Sequence, residues 1–220
     1  MIFDLDDTLY RESAYRIAAY QVASLMVTRF AGIQPSELVR ELIYVYDSGC
    51  RLHVFQTALR RSGLPKRSAE YLARNIMVPA YQHCKCSIGL FPSAERVLRE
   101  LCKLRVPIGL VTNGSSATQR NKLNLLGLEH TFDCVVITGE LFDRSMWKPH
   151  PAPFLYALGE LGVCPQQCLV VGDSPERDMA GALEAGCRCI LVNHSSSQWD
   201  ASSDAYMGQG EIGQVLSLFQ

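Results

Sequence analysis

Residues 92–114 read PSAERVLRELCKLRVPIGLVTNG. The first part, 92–104, sets apolar Ala94, Val97, Leu98, Leu101 and Leu104 at three- and four-residue spacing, the period of an amphipathic helix. The second part, 106–112, is a short apolar run that ends in Thr112-Asn113-Gly114. A run without alternation has both faces buried, as a strand of a parallel sheet does. A helix that feeds such a strand is half of a βαβ unit.

The same alternation extends in both directions. Further apolar runs lie at 1–4, 133–138, 167–173 and 188–193. Helical periodicity recurs at 115–126, 152–161 and 177–185, and Gly127, Gly162 and Gly186 serve as stop signals. The expectation is an α/β fold: a doubly wound, parallel, five-stranded Rossmann-like sheet covered by helices on both faces. Residues 194–209 are polar and read as a loop before a short final helix.

Residues 11–86 interrupt this pattern. They hold no good strand, but helical stretches at 13–30, 36–46, 51–61 and 68–81. This predicts an inserted all-helical domain at 11–86, with residues 1–10 and 87–220 forming the core. The insert carries 11 Lys+Arg against 5 Asp+Glu, a net of +6, while the rest of the chain is at −7. Such a split suits either a solvated helix surface or a basic lid that captures an anionic substrate.

Bulk properties exclude several classes. The 220 residues carry 21 Lys+Arg and 22 Asp+Glu, so a strongly basic nucleic-acid binder is not expected. No apolar run approaches the length of a bilayer span, and no basic-then-apolar leader opens the chain, so neither a membrane anchor nor a secretory signal is expected. The nine cysteines, at 50, 84, 86, 102, 134, 164, 168, 187 and 189, lie mostly in apolar runs and form no paired CxxC motif. They read as reduced thiols used as small core residues, which favours the cytoplasm; a metal or redox role for Cys84 and Cys86 is the alternative.

Chemistry gathers at the predicted strand ends. The first run closes on Asp4-Leu5-Asp6-Asp7-Thr8. In an open parallel sheet ligands bind beyond the carboxyl ends of the strands, and carboxylates crowded there repel one another unless a cation joins them. A hard, oxygen-seeking ion such as Mg²⁺ suits that donor set. The second run ends Thr112-Asn113-Gly114-Ser115 at a helix start, which can hold an anion; a helix cap by Ser115 or Asn113 is the plainer reading, and both can hold together. Lys148 precedes Pro149 in the loop after the third run, and the fourth ends Gly172-Asp173 with Asp178 five residues on.

With these four elements in order, the chain resembles the haloacid dehalogenase superfamily of phosphatases. The resemblance also covers 110–115 (LVTNGS), Gln119 to Leu123, Lys148-Pro149-His150-Pro151 and 181–186 (GALEAG), and spans 1–10 and 88–193. It implies the subfamily whose helical cap follows the first motif. It further implies a Mg²⁺-dependent phosphomonoesterase that uses an aspartyl-phosphate intermediate. Asp4 would be the nucleophile and Asp6 the general acid and base. Mg²⁺ would be bound by Asp4, the backbone carbonyl of Asp6, and Asp173, with Asp178 supporting. Thr112, Asn113, Gly114 and Lys148 would hold the phosphoryl group. The rivals are a metal-independent 2-haloacid dehalogenase, which needs neither Asp6 nor Asp173, and a non-catalytic regulatory protein on the same fold. Position and charge add Arg11 and Arg16 as substrate contacts, with surface ion pairs as the alternative. The expected partner is a small phosphorylated metabolite, met by a monomer or homodimer.

Overall fold

The computed structural model of the chain describes residues 1–192, 206–210 and 212–219. The chain divides into two compact units, Met1–Glu12 with Gly89–Gln220, and Ser13–Ile88.

The first unit is built on β1 (Ile2–Phe3). The elements of the second unit follow it in the chain: α1 (Glu12–Ala31), α2 (Pro35–Asp47), α3 (Val54–Arg61), α4 (Lys66–Leu72), a π-helical turn at Ala73–Met77, and α5 (Val78–Gln82). Tyr20, Leu38, Leu42, Leu59, Leu72 and Met77 form the buried core of that unit. Each such apolar side chain contributes about 1.5–3 kcal/mol when fully buried. Tyr15 packs edge-on to Tyr81, with ring centroids 5.5 Å apart, and donates its hydroxyl proton to the Tyr81 carbonyl at 2.6 Å.

The chain then returns through α6 (Pro92–Lys103), β2 (Gly109–Thr112), α7 (Ser116–Leu125), β3 (Cys134–Ile137), α8 (Thr138–Leu141), α9 (Ala152–Leu161), β4 (Leu169–Gly172), α10 (Ala180–Glu184), β5 (Arg188–Val192) and β6 (Tyr206–Gly210). All strand pairs are parallel and the order is β3-β2-β1-β4-β5-β6. The doubly wound sheet is therefore as expected, with β1 at its centre between β2 and β4. Gly162 ends α9 in the left-handed region, at φ 64°.

Three details differ from the sequence expectation. A sixth strand, Tyr206–Gly210, begins inside the stretch read as loop and ends one residue past it; the earlier part of that stretch, 194–205, lies outside the described residues. The closing helix, Ile212–Phe219, is 3₁₀. The strand read at 106–112 begins only at Gly109, because Pro107 has no N–H to give the ladder.

Ile2, Val111, Val136, Phe154 and Val170 form the core of this unit, together with buried Cys134, Cys168, Cys187 and Cys189. All nine cysteines are free thiols. Among the described residues, no helix is long and apolar enough to cross a membrane.

Candidate active site

Because β1 lies between β2 and β4, the residues that leave these three strands converge. Asp4 continues the ladder one step past β1, its N–H donating to the Val171 carbonyl at 2.9 Å. Its side chain then emerges beside Thr112 at the end of β2 and Asp173 just past β4. Asp4 and Thr112 are both buried. Asp4, Asp6, Thr112, Asn113, Lys148, Arg177 and Asp178 line one small cavity.

Lys148 organises this cavity. Its ammonium donates to Asp4 Oδ1 at 2.6 Å, to Asp178 Oδ1 at 2.6 Å and to the Val111 carbonyl at 2.9 Å. The Asn113 side chain fixes the lysine's backbone from both sides, accepting from its N–H at 3.0 Å and donating to its carbonyl at 2.9 Å. The peptide from Lys148 to Pro149 is cis. On the far side, Asp178 Oδ2 accepts the Ser174 N–H at 3.1 Å. Gly172 makes this approach possible: a Cβ there would stand 2.5 Å from the Asp178 Cβ.

The charges are unevenly satisfied. Burial pushes the Asp4 carboxyl up to about 7; Lys148 opposes this, while Asp178, Asp6 and Asp173 add to it. Burial, then Asp178, pushes Asp173 up to about 6. Burial alone would lower Lys148, but Asp178 and Asp4 more than reverse it, so the amine stays charged. Asp173 Oδ1 is buried with no hydrogen-bond partner. Asp4, Asp173 and Asp178 each offer one ligand oxygen, all within 4.8 Å of one another. Two carboxyls raised by burial and an orphaned oxygen in an all-oxygen cluster are the features a hard divalent cation would relieve.

The haloacid dehalogenase-like hydrolase profile matches residues 1–192. The chain belongs to the haloacid dehalogenase-like hydrolases. It is 33% identical over 177 residues to the phosphoserine phosphatase of Thermus thermophilus, covering 80% of this chain and 68% of that protein. It is 32% identical over 206 residues to the glyceraldehyde 3-phosphate phosphatase of Methanopyrus kandleri, covering 90% and 85%. The crystal structure of a 2-haloacid dehalogenase from Pseudomonas syringae pv. Tomato superposes with a TM-score of 0.69 at 27% identity, over 99% of this chain and 96% of that one. Family and relatives together make the chain a phosphatase-type hydrolase.

Within this family member, most of the sequence-predicted site residues meet in one place. Two are used differently from expectation. Asn113 lines the cavity, but its side-chain amide is engaged with the Lys148 backbone through both its oxygen and its nitrogen. The Gly114 N–H, expected to face phosphate, points instead at Thr138 Oγ1, 3.4 Å away. Arg11 is exposed, next to Tyr10 in the sequence. Arg16 belongs to the other unit and lays its guanidinium over the Tyr46 ring, 3.9 Å from the centroid.

Sequence reasoning missed the residues around Asp6. Lys122 donates to both Asp6 oxygens, at 2.7 and 2.9 Å. Tyr10 donates its hydroxyl proton to Oδ1 at 2.7 Å, and Gln119 donates to Oδ2 at 3.0 Å. Burial would raise the Asp6 carboxyl, but the Lys122 charge and these donors more than reverse it and hold it below the usual range. The available signal lay in the α7 sequence, SATQRNKLNL, which has too few apolar residues to bury a face of its own.

Proposed function

We propose that this hydrolase is a Mg²⁺-dependent phosphomonoesterase acting on a small phosphorylated metabolite through an aspartyl-phosphate on Asp4. The observation that carries the reading is the Asp4–Asp173–Asp178 cluster, with one buried oxygen of Asp173 unpartnered beside it. A dehalogenase needs neither that cluster nor a second acid at Asp6. The superposition on a dehalogenase therefore supports the fold and the nucleophile rather than the reaction.

Asp4, Asp173 and the backbone carbonyl of Asp6 would hold the ion, with Asp178 beside it and paired to Lys148. When bound, Mg²⁺ supplies positive charge that offsets repulsion between the Asp4 carboxylate and the phosphate dianion. The Asp4 oxygen attacks phosphorus, and the bond to the leaving oxygen breaks. Asp6, held ionised at rest by Lys122 and its other donors, must first take up a proton as the phosphate binds; it then gives that proton to the leaving oxygen, so the alcohol departs neutral. Water then attacks the aspartyl-phosphate and loses a proton to Asp6, which restores both carboxyls and releases inorganic phosphate. Thr112, the Asn113 backbone and Lys148 hold the phosphoryl oxygens throughout, so catalysis is mainly positioning and electrostatics.

The relatives are named for phosphoserine and glyceraldehyde 3-phosphate, and these head the candidate substrates, with other sugar phosphates and nucleotides behind. We read the helical unit as the substrate-selecting cap and retain Arg11 as a leaving-group contact; the Tyr46 stack makes Arg16 the weaker candidate. Free thiols throughout favour a reducing compartment such as the cytoplasm. The test is phosphate release across this panel with Mg²⁺ or with chelator. Turnover that needs Mg²⁺ supports the reading. Full turnover in chelator, or chloride release from a 2-chloroacid without phosphatase activity, overturns it.

A further inference from the structure

We propose that Gln119 and Lys122 are positioning residues that aim Asp6 at the leaving-group oxygen, so that this pair decides how well the enzyme expels a poor leaving group. The proposal rests on the phosphomonoesterase reading, with Asp6 as proton donor.

The argument starts from α7, a helix whose inward residues are Thr118, Gln119, Lys122 and Leu123. Three of these four are polar. Burying a lysine ammonium is costly unless a counter-charge meets it. The Lys122 side chain is 4% exposed and meets both Asp6 oxygens, whereas the Asp6 side chain is 26% exposed. The buried partner is thus the one on the helix, and the partner open to the cavity is Asp6. An aspartate at a cavity wall without such a hold has several staggered rotamers open to it. A two-point ammonium contact, with donors on either side, leaves it one.

Gln119 adds a link that packing does not require. Its side-chain amide donates to Asp6 Oδ2 at 3.0 Å and to Thr112 Oγ1 at 2.6 Å. It therefore ties the carboxyl that would serve the leaving group to the hydroxyl that would hold a phosphoryl oxygen. Those two groups come from different strand ends, after β1 and at the end of β2. Fixing their separation fixes where the Asp6 carboxyl stands relative to the leaving oxygen of a phosphoryl group held at Thr112, and small misplacements there are costly in rate.

A proton donor matters only when the departing oxygen needs a proton. An alkyl alcohol does; p-nitrophenolate leaves without one. The experiment uses the full chain, with Lys122→Met and Gln119→Leu each assayed on p-nitrophenyl phosphate and on glycerol 2-phosphate. The expected result is a fall in kcat/KM on the alkyl ester about tenfold larger than on the aryl ester, in both variants. Lys122→Arg should recover part of the alkyl rate. In an Asp6→Asn background neither substitution should add more than about twofold, because both act through Asp6. The aryl rate reports a folded site, and Gln119→Leu keeps the test open if Lys122→Met does not fold. Equal losses on both esters, or an alkyl rate unchanged or raised, would overturn the positioning role while leaving the phosphatase reading intact. A wild-type chain that releases phosphate from neither these two esters nor the metabolite panel above would overturn both.

Discussion

Lys148 Nζ lies 2.6 Å from Asp178 Oδ1, and both side chains are 2% exposed. Removing one member of a buried pair strands the other's charge, at a cost of about 3–5 kcal/mol. Lys148→Met should therefore abolish phosphate release and also lower the melting temperature clearly. Lys148→Arg keeps the charge and should melt higher than Lys148→Met, while losing turnover because the guanidinium is too wide for the cavity. Thermal melts of the three proteins check this; a Lys148→Met variant as stable as the parent would contradict it.

The metal-free protein should lose stability as pH rises through the neutral range. Asp4 and Asp173 keep protons in the folded chain up to about 7 and about 6, whereas in an unfolded chain they lose them near pH ~4. The folded state therefore binds more protons between these limits. The stability these carboxyls contribute is full below about pH 4 and is lost as pH climbs through 6 and 7. Melts in chelator from pH 4 to 8, compared with Asp4→Asn, isolate the Asp4 part. Added Mg²⁺ should oppose the decline, with a stabilising shift that grows with pH because binding displaces protons. A shift that shrinks with rising pH would exclude this linkage.

Asp173→Asn removes a charge beside the unpartnered oxygen and should erase the Mg²⁺-induced shift almost completely. Asp178→Asn should weaken it less, since Asp178 already answers Lys148 and the Ser174 N–H. Calorimetric titration with Mg²⁺ separates the two. Equal losses would make Asp178 a direct ligand.

Gly172→Ala tests the close packing behind the site. The added methyl would meet the Asp178 Cβ at 2.5 Å and its carboxyl at 2.7 Å, and a side chain touched at its Cβ cannot step aside by turning its far end. Overpacking of this kind costs about 1–3 kcal/mol, and here it would also push Asp178 off Lys148. Lower denaturant midpoints and reduced turnover are expected together.

The strand-end residues were readable because position and residue type agreed. Asp4, Thr112 and Asp173 each close an apolar run, and Lys148 stands in a loop that must return to the same edge. Gln119 and Lys122 were hidden by the habit of placing polar residues of a helix toward water; α7 reverses that habit, spending its inward face on Asp6. The β6 strand was hidden for another reason. YMGQG is short, glycine-bearing and polar, and an edge strand pairs on one side only, so no apolar run marks it.

Lys148, Lys122, Tyr10 and Gln119, whose side chains contact Asp4 or Asp6, belong to the unit formed by Met1–Glu12 and Gly89–Gln220, as does Asp178. That partition has an evolutionary consequence. The contacts to Asp4 from Lys148 and to Asp6 from Lys122, Tyr10 and Gln119 are made within one part of the chain, so a substitution in the inserted helices replaces none of these partners. On the proposed reading, in which the insert selects the substrate, selection would exchange one substrate for another by rewriting the insert while the strand ends stay under a separate and stricter constraint. Transplanting a relative's insert between residues 12 and 89 should change which ester is preferred without requiring any substitution at Asp4, Lys122 or Lys148.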